Sequence, residues 1–334
     1  MSITIKDIAK QAGVSISTVS RVINGSKPVS NEIRQKVMAI IEETGYMPNP
    51  IARSLVMKKS QLIGVVVPDI SNTFINEILS GIEEIGRMYN YDILLCSTYG
   101  DQEQELRYLN LLKAKQVEGI VFMTWELDEK LIKYISNMNT PVVLINRNTD
   151  EVQIPSVSID NFKAAYEITE YLINKGHKEI ALMRRQGRDA FSLRIYEGYK
   201  KALEDNNIAL NENIVYEGEY KIEKGYELTQ NLIKSKHMPT AIFASNDVMA
   251  IGAINALFDN GYNVPNDVSV AGFNDIELSS IYRPKLTTIH QPIYDIGAVA
   301  IRMIIKKINE EELDCNVVKL PHNLVERESV KSIK

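Results

Sequence analysis

The sequence predicts an α/β protein: an N-terminal all-α helix-turn-helix headpiece followed by a body of two doubly wound parallel-sheet subdomains. Three observations lead there. The charge is split, because residues 1–60 carry nine basic and four acidic side chains (+5), whereas the rest of the 334-residue chain carries 29 basic and 39 acidic (−10). Helical hydrophobic periodicity runs from the start of the chain to Gly45. From Leu62 onward, buried-strand runs alternate with amphipathic helices twice over, the pattern of parallel sheets covered by helices on both faces.

Composition excludes several classes. Hydrophobic residues make up 45% of the chain, enough for real cores, so wholesale disorder is not expected. The longest apolar runs, such as residues 62–67, are too short to cross a bilayer, and residues 1–10 hold no apolar export segment. A cytoplasmic, nucleoid-associated location without membrane contact is therefore expected. Cys96 and Cys315 are the two cysteines, with no CxxC, and read as reduced structural thiols. The four histidines match no zinc spacing, so neither metal nor cofactor is expected. The net charge of −5 hides a basic head on an acidic body, the asymmetry of a nucleic-acid-binding arm.

In the head, Ile5, Ile8, Ala9 and Ala12 fall at i, i+3, i+4 and i+7 on one helical face, and Gly13 ends that helix. Ser15 N-caps a second short helix that runs through Ile23 and turns Val19, Val22 and Ile23 inward. Pro28 breaks the chain, and Ser30 caps a third helix that ends at Gly45, with Ile33, Val37, Ile40 and Ile41 as its apolar side. Three short helices with a glycine turn between the first two form a helix-turn-helix. On the second helix Ile16, Ser17 and Arg21 point away from the core. An outward Arg can grip guanine O6 and N7, Ser can bond to several base edges, and Ile can meet a thymine methyl. Thr18 and Ser20 are short enough to reach phosphates. The plainer alternative is a small helical cap with a solvated face; Ile16 exposed beside Arg21 in a basic segment favours DNA.

Asn49 suits an N-cap and Pro50 the first helical position, so a helix of about two turns starts there, too short to persist alone in water. Ala52, Leu55 and Val56 give it a small apolar edge. Paired with its twin on DNA, such a helix could enter the minor groove and wedge Leu55 between base pairs; an ordinary linker is the alternative.

Residues 5–25 (Ile-Lys-Asp-Ile-Ala-Lys-Gln-Ala-Gly-Val-Ser-Ile-Ser-Thr-Val-Ser-Arg-Val-Ile-Asn-Gly), followed by Gly45-Tyr46-x-Pro48-Asn49-x-x-Ala52-x-x-Leu55, resemble the headpiece and hinge of the lac repressor (LacI/GalR) family. The resemblance implies that Ile16, Ser17 and Arg21 read the major groove. It also implies that Ser15, Thr18, Ser20, Asn24, Asn49 and Ala52 belong to the DNA-contacting set and that Leu55 intercalates. The partner would be double-stranded operator DNA, bound pseudo-palindromically by a homodimer.

In the body, strands are expected at 62–67, 91–97, 119–123 and 141–145, with helices at 73–89 (Ile75, Ile78, Leu79, Ile82 and Ile85 inward) and 103–115. After residues 155–160 the alternation restarts, with a helix from Phe162, a strand near 180–183, a helix at 192–205, a strand near 240–245, a helix at 247–260 and a strand at 268–273. Two such runs imply two subdomains with a cleft at their sheet ends. The expected division is a headpiece at 1–48, a hinge at 49–60 and a body at 61–334. Within the body the first subdomain takes about 61–160 and 292–323, and the second about 161–291 and 324–334.

Catalytic signatures are missing: there is no GxGxxG after the first strand, no GxxxxGK, no GxSxG and no HExxH. An enzyme is thereby disfavoured, leaving an α/β enzyme with an accessory DNA-binding head as a weaker alternative. The body resembles the periplasmic-binding-protein-like effector module of the same family. That resemblance implies a cleft lined by Ser71, Phe74, Arg194, Asp247, Asn274 and Asp275, with Arg194 available to a sugar hydroxyl or phosphate. A small phosphorylated sugar, another sugar or a nucleobase is the effector class such a cleft would take. At 274 the family's sugar-binding aspartate is replaced by Asn274, which removes a charged acceptor. Asp247 could equally cap the helix that follows it. The segment 184–189 (Arg-Arg-Gln-Gly-Arg-Asp) is unusually basic for the body and matches no motif.

Residues 293–308 give a helix whose core face is Ile293, Ile296, Gly297, Ala300, Ile304 and Ile308. Asp295, Val299, Arg302 and Lys306 form a second stripe at spacings of 4, 3 and 4. Two cations one turn apart can hold a phosphate on a partner protein, although the wheel alone favours a solvated face. The stretch Thr287-Thr288-x-x-Gln291-Pro292-x-Tyr294-Asp295-Ile296-Gly297-Ala298, with Arg302 and Lys306, is similar to the catabolite-control branch of the family, whose corepressor is the phosphocarrier HPr phosphorylated on serine. The similarity implies a partner surface of Tyr294, Asp295, Val299, Arg302 and Lys306.

Overall fold

The computed structural model describes residues 3–25, 27–46, 59–146, 154–187, 190–235 and 237–334. The chain divides into two units, residues 1–61 and 62–334.

Three helices make the first unit: α1 (Ile5–Ala12), α2 (Ile16–Asn24) and α3 (Asn31–Thr44). At the start of α1 the Thr4 amide and hydroxyl donate to Asp7 Oδ2 at 2.9 and 2.7 Å. The Thr4 hydroxyl bond chiefly holds the Asp7 carboxyl below its usual range. Gly13 takes the left-handed conformation (φ +68°) that only glycine adopts without strain, which turns the chain from α1 into α2. The core is Ile8, Ala9, Ala12, Val19, Val22 and Val37, the inward residues that the periodicity of each helix predicts.

The second unit opens with β1 (Leu62–Val67), α4 (Thr73–Met88), β2 (Asp92–Ser97), α5 (Gln102–Ala114), β3 (Gly119–Phe122), α6 (Glu129–Ser136), β4 (Val142–Ile145) and β5 (Ser156–Ile159). It continues with α7 (Asn161–Asn174), β6 (Ile180–Arg185), α8 (Ala190–Asp205), β7 (Val215–Gly218), α9 (Ile222–Lys234), β8 (Ala241–Ala244), α10 (Asp247–Asp259), β9 (Ser269–Ala271) and α11 (Glu277–Ile281). Last come β10 (Thr288–His290), α12 (Ile293–Ile308), β11 (Val317–Leu320) and β12 (Asn323–Val325).

These strands build two parallel sheets, in the orders β11-β5-β4-β3-β1-β2 and β7-β6-β8-β9, plus an antiparallel β10-β12 pair. The alternation of strand side chains feeds two cores per subdomain. In β1, Ile63, Val65 and Val67 pack with α4 and α12, while Val66 faces the core shared with α5 and α6. In β6, Ile180 and Leu182 pack with α7 and α8, and Ala181 and Met183 with α9 and α10. The chain passes between the subdomains after β5, between β10 and α12, and between β11 and β12.

Several elements of the second unit were not expected from the sequence, among them α6, β7, α9, α11, β11 and the β10-β12 ladder. Helix α9 is obscured by its charges (Glu223, Lys224, Glu227, Lys234) and by Gly225, so that its buried side is only Gly225, Leu228, Thr229 and Leu232.

Candidate DNA-binding, docking and effector sites

Helix α2 begins at Ser15, whose Oγ accepts from the Thr18 amide at 3.1 Å. The Ser15 hydroxyl also lies 2.7 Å from that of Ser17 and 2.8 Å from that of Thr18, so three hydroxyls cluster at the helix start. Val19 and Val22 are buried, which turns Ile16 (44% exposed), Ser17 and Arg21 outward; Thr18 and Ser20 are half-buried. Ile16 thus spends an apolar side chain on solvent next to a cation. Asn24 ends α2, and its side chain lies outside the described residues, as do Asn49, Ala52 and Leu55.

In the body, α4 and α12 lie side by side at backbone contact. A methyl group on Gly297 would sit 2.1 Å from the Ile78 carbonyl oxygen, and one on Gly81 would sit 2.2 Å from that of Tyr294. This packing buries Ile293, Ile296, Gly297, Ala300 and Ile304 as expected, whereas Ile308 is half-buried. Asp295 and Arg302 are exposed, and Val299 and Lys306 half-buried, forming one stripe beside the acidic edge of α4. Glu84 of α4 takes a hydrogen bond from Tyr294, which raises the phenol's pKa, and Glu83 pairs with Arg87 at 3.6 Å. Among the described residues Arg302 forms no ion pair, while Lys306 is 2.9 Å from Asp314, a carboxylate with 92% of its side chain exposed. That hydrogen bond raises Lys306 above its ordinary pKa and keeps it charged.

The cleft between the subdomains is narrow. Its cavity measures about 20 Å³ and is lined by Asn72, Phe74, Met123, Thr124, Trp125, Asn146, Phe191, Tyr220, Asn246 and Asn274. Of the cleft residues expected from the sequence, Phe74 and Asn274 line this cavity, and Ser71 lines a neighbouring depression with Asp69, Lys221 and Leu278. Arg194 is not among the lining residues; it pairs with Glu197 at 2.8 Å and lies over the Phe162 ring at 5.5 Å. Asp247 lies beneath the cleft, fully buried, accepting from the Thr288 hydroxyl at 2.6 Å and the Ile276 amide at 3.0 Å. Burial pushes its pKa up to about 7 against those hydrogen bonds. The cap of α10 is Asn246, whose side chain accepts from the Val248 amide at 2.9 Å. Asp275 is tied to Arg327 at 2.6 Å and His290 at 3.1 Å.

Asn274 (φ +116°) and Asp275 (φ +60°) both occupy a left-handed backbone, a strained arrangement held by these bonds and by Gln291 Nε2 donating to Asn274 Oδ1 at 2.7 Å. The aromatic lining was not read from the sequence. Trp125, Phe191 and Tyr220 come from a loop, a helix start and another loop, with no shared periodicity. The one signal was Trp125 itself, the single tryptophan of the chain, placed just beyond a buried strand.

The geometry is therefore a helix-turn-helix unit with a mixed polar and apolar exposed face, and a two-subdomain body with a cleft and a stripe that carries two cations. Known proteins match both parts. Residues 4–49 match the family described as bacterial regulatory proteins, lacI family. Residues 60–328 match periplasmic binding proteins and sugar binding domain of LacI family. The chain is 42% identical to catabolite control protein A of Priestia megaterium over 332 residues, 99% of this chain and 100% of the relative. It is 45% identical to the HTH-type transcriptional regulator RegA of Clostridium acetobutylicum over 335 residues, 99% and 100% of the two chains. A crystal structure of the lac repressor dimer bound to operator and an anti-inducer superposes with a TM-score of 0.90 at 29% identity, covering 99% of this chain and 100% of that one. With headpiece and body both matched in order along nearly the whole length, the chain belongs to the LacI family of bacterial transcriptional regulators.

Proposed function

We propose that this regulator is a dimeric repressor of carbon catabolite control, whose operator binding is strengthened by a serine-phosphorylated, HPr-like phosphocarrier protein docked on α12. The observation that carries the proposal is the surface stripe of Asp295, Val299, Arg302 and Lys306, rigidly held against α4. Among the described residues Arg302 forms no ion pair, and Lys306 pairs with the exposed carboxylate of Asp314, which a phosphate can replace. Val299 supplies apolar contact, and Tyr294 and Asp295 supply hydrogen-bonding groups at the rim. The identity to catabolite control protein A over the full length supports the same reading.

At the other end of the chain, Ile16, Ser17 and Arg21 of α2 read the major groove of a pseudo-palindromic operator. Ser15, Thr18 and Ser20 position the helix on phosphates, with Asn24, Asn49, Ala52 and Leu55 completing the DNA surface. A small phosphorylated sugar in the cleft is the competing effector. In the closed arrangement the cavity of about 20 Å³ has room for about one water, so such an effector would bind only with the subdomains further apart.

The test is operator binding by the full chain, alone, with HPr, and with HPr phosphorylated on serine. Only the phosphorylated form should tighten binding, and Arg302→Ala with Lys306→Ala should remove that response while leaving basal binding intact. A response that survives the double substitution would return the stripe to a solvated surface.

A further inference from the structure

We propose that Arg185 and Trp125 form a latch that closes the cleft on the chain's own side chains, so that this pair sets how far the two subdomains separate and what the cleft admits. The latch goes beyond the docking reading and does not depend on it. Trp125 follows β3 in the first subdomain, and Arg185 ends β6 in the second. The Arg185 guanidinium carbon lies 4.6 Å from the centre of the indole, and arginine on tryptophan is among the strongest cation–π pairings. Tyr220, also from the second subdomain, meets the same indole edge-on at 5.7 Å, and Phe191 backs Tyr220 at 6.2 Å.

The chain is shaped to let these groups meet. A methyl group on Gly100 would lie 2.7 Å from Trp125 Cδ1, so only glycine leaves room for the indole there. On the opposite side of the cleft, a methyl group on Gly187 would lie 3.0 Å from Glu126 Oε1. Arg185 and Gly187 thus meet Trp125 and Glu126 across the cleft at two adjacent points. The neighbouring Arg184 does not cross: it pairs with Glu217 and lies over the Tyr196 ring at 5.1 Å, both within its own subdomain. The basic segment that matches no motif in the sequence therefore divides its two leading arginines, one anchoring the end of β6 and the other spanning the cleft.

Rotating the subdomains apart requires Arg185 to leave the indole and exposes the Trp125 and Tyr220 rings to water. A sugar-sized molecule entering the cleft must do the same, because the remaining space is about 20 Å³.

Trp125 is the chain's only tryptophan, so fluorescence excited selectively at the indole, away from the 16 tyrosines, reports on the surroundings of the latch in the full-length protein. Acrylamide quenching should rise about threefold or more in Arg185→Gln, as expected when a contact of this class stops holding a two-state equilibrium. Arg184→Gln, one residue away on the same strand, should quench like the wild type. The radius of gyration from small-angle scattering should increase in Arg185→Gln alone. Equal quenching in wild type and Arg185→Gln would overturn the latch. An equal rise in both arginine variants would also overturn it, since that result reports general loosening of the strand end.

Discussion

Glu105, on α5, is a carboxyl with no exposed surface, and its Oε1 accepts from the Thr124 hydroxyl at 2.6 Å. Burial pushes its pKa from 4.5 up to about 7; the Thr124 bond opposes the shift, and Asp101, Asp128 and Glu126 add to it. The folded pKa lies above the unfolded one, so the folded state holds an extra proton in the interval between them. Stability is then greatest below the unfolded value and is lost as pH rises through about 7. At about 1.4 kcal/mol per pKa unit the loss is on the order of 3 kcal/mol between pH 4 and pH 8. Glu105→Gln keeps an oxygen acceptor for Thr124 and carries no charge at any pH. Relative to wild type, the variant should gain on the order of 2–3 kcal/mol at pH 8.5 and change by less than about 1 kcal/mol at pH 5. The assay is urea unfolding of both chains at the two pH values. Asp247, whose pKa is raised in the same direction, is present in both chains and drops out of the difference. A stability difference that is the same at both pH values would refute the reasoning.

Three other substitutions probe the remaining parts. Arg21→Ala should weaken operator binding by about 1–3 kcal/mol while leaving random DNA weaker only by the lost charge, as read from a salt series; an equal loss on all sequences would remove Arg21 from base reading. Leu55→Ala should reduce operator bending, measured by energy transfer between the duplex ends, together with affinity; unchanged bending would reject the wedge. Gly297→Ala forces a methyl group to 2.1 Å from the Ile78 carbonyl oxygen. The α4–α12 pair must then separate, at a cost of about 1–3 kcal/mol or more in thermal unfolding, and an unchanged melting temperature would contradict the backbone contact.

Much of this molecule was legible where local rules act alone. The headpiece helices start and stop at residues whose chemistry dictates it, Ser15 by accepting from the Thr18 amide and Gly13 and Gly45 by taking positive φ. The stripe on α12 followed from spacing, because one face of that helix is fully apolar. The cleft was less legible. Family positions identified Phe74 and Asn274, yet they included Arg194, which bonds elsewhere, and Asp247, which acts from below the surface. The closing contacts join residues far apart in sequence, Trp125 with Arg185 and Tyr220. No periodicity connects loops in different subdomains, so their meeting depends on how two sheets are set against each other. Likewise, the raised pKa values of Glu105 and Asp247 arise from burial, which a charged letter in a helix does not reveal.

Under the proposed function, a phosphoprotein docked on α12 and DNA bound by the headpiece favour the same arrangement of one dimer. Such coupling is reciprocal, so the factor by which one ligand tightens the other must be equal in both directions. The most direct measurement is the affinity of the full chain for serine-phosphorylated HPr, with and without a saturating operator duplex selected by the protein from a random pool. Binding should be tighter in the presence of operator, by the same factor that the phosphoprotein adds to operator affinity. An affinity for phosphorylated HPr that operator leaves unchanged would contradict that coupling.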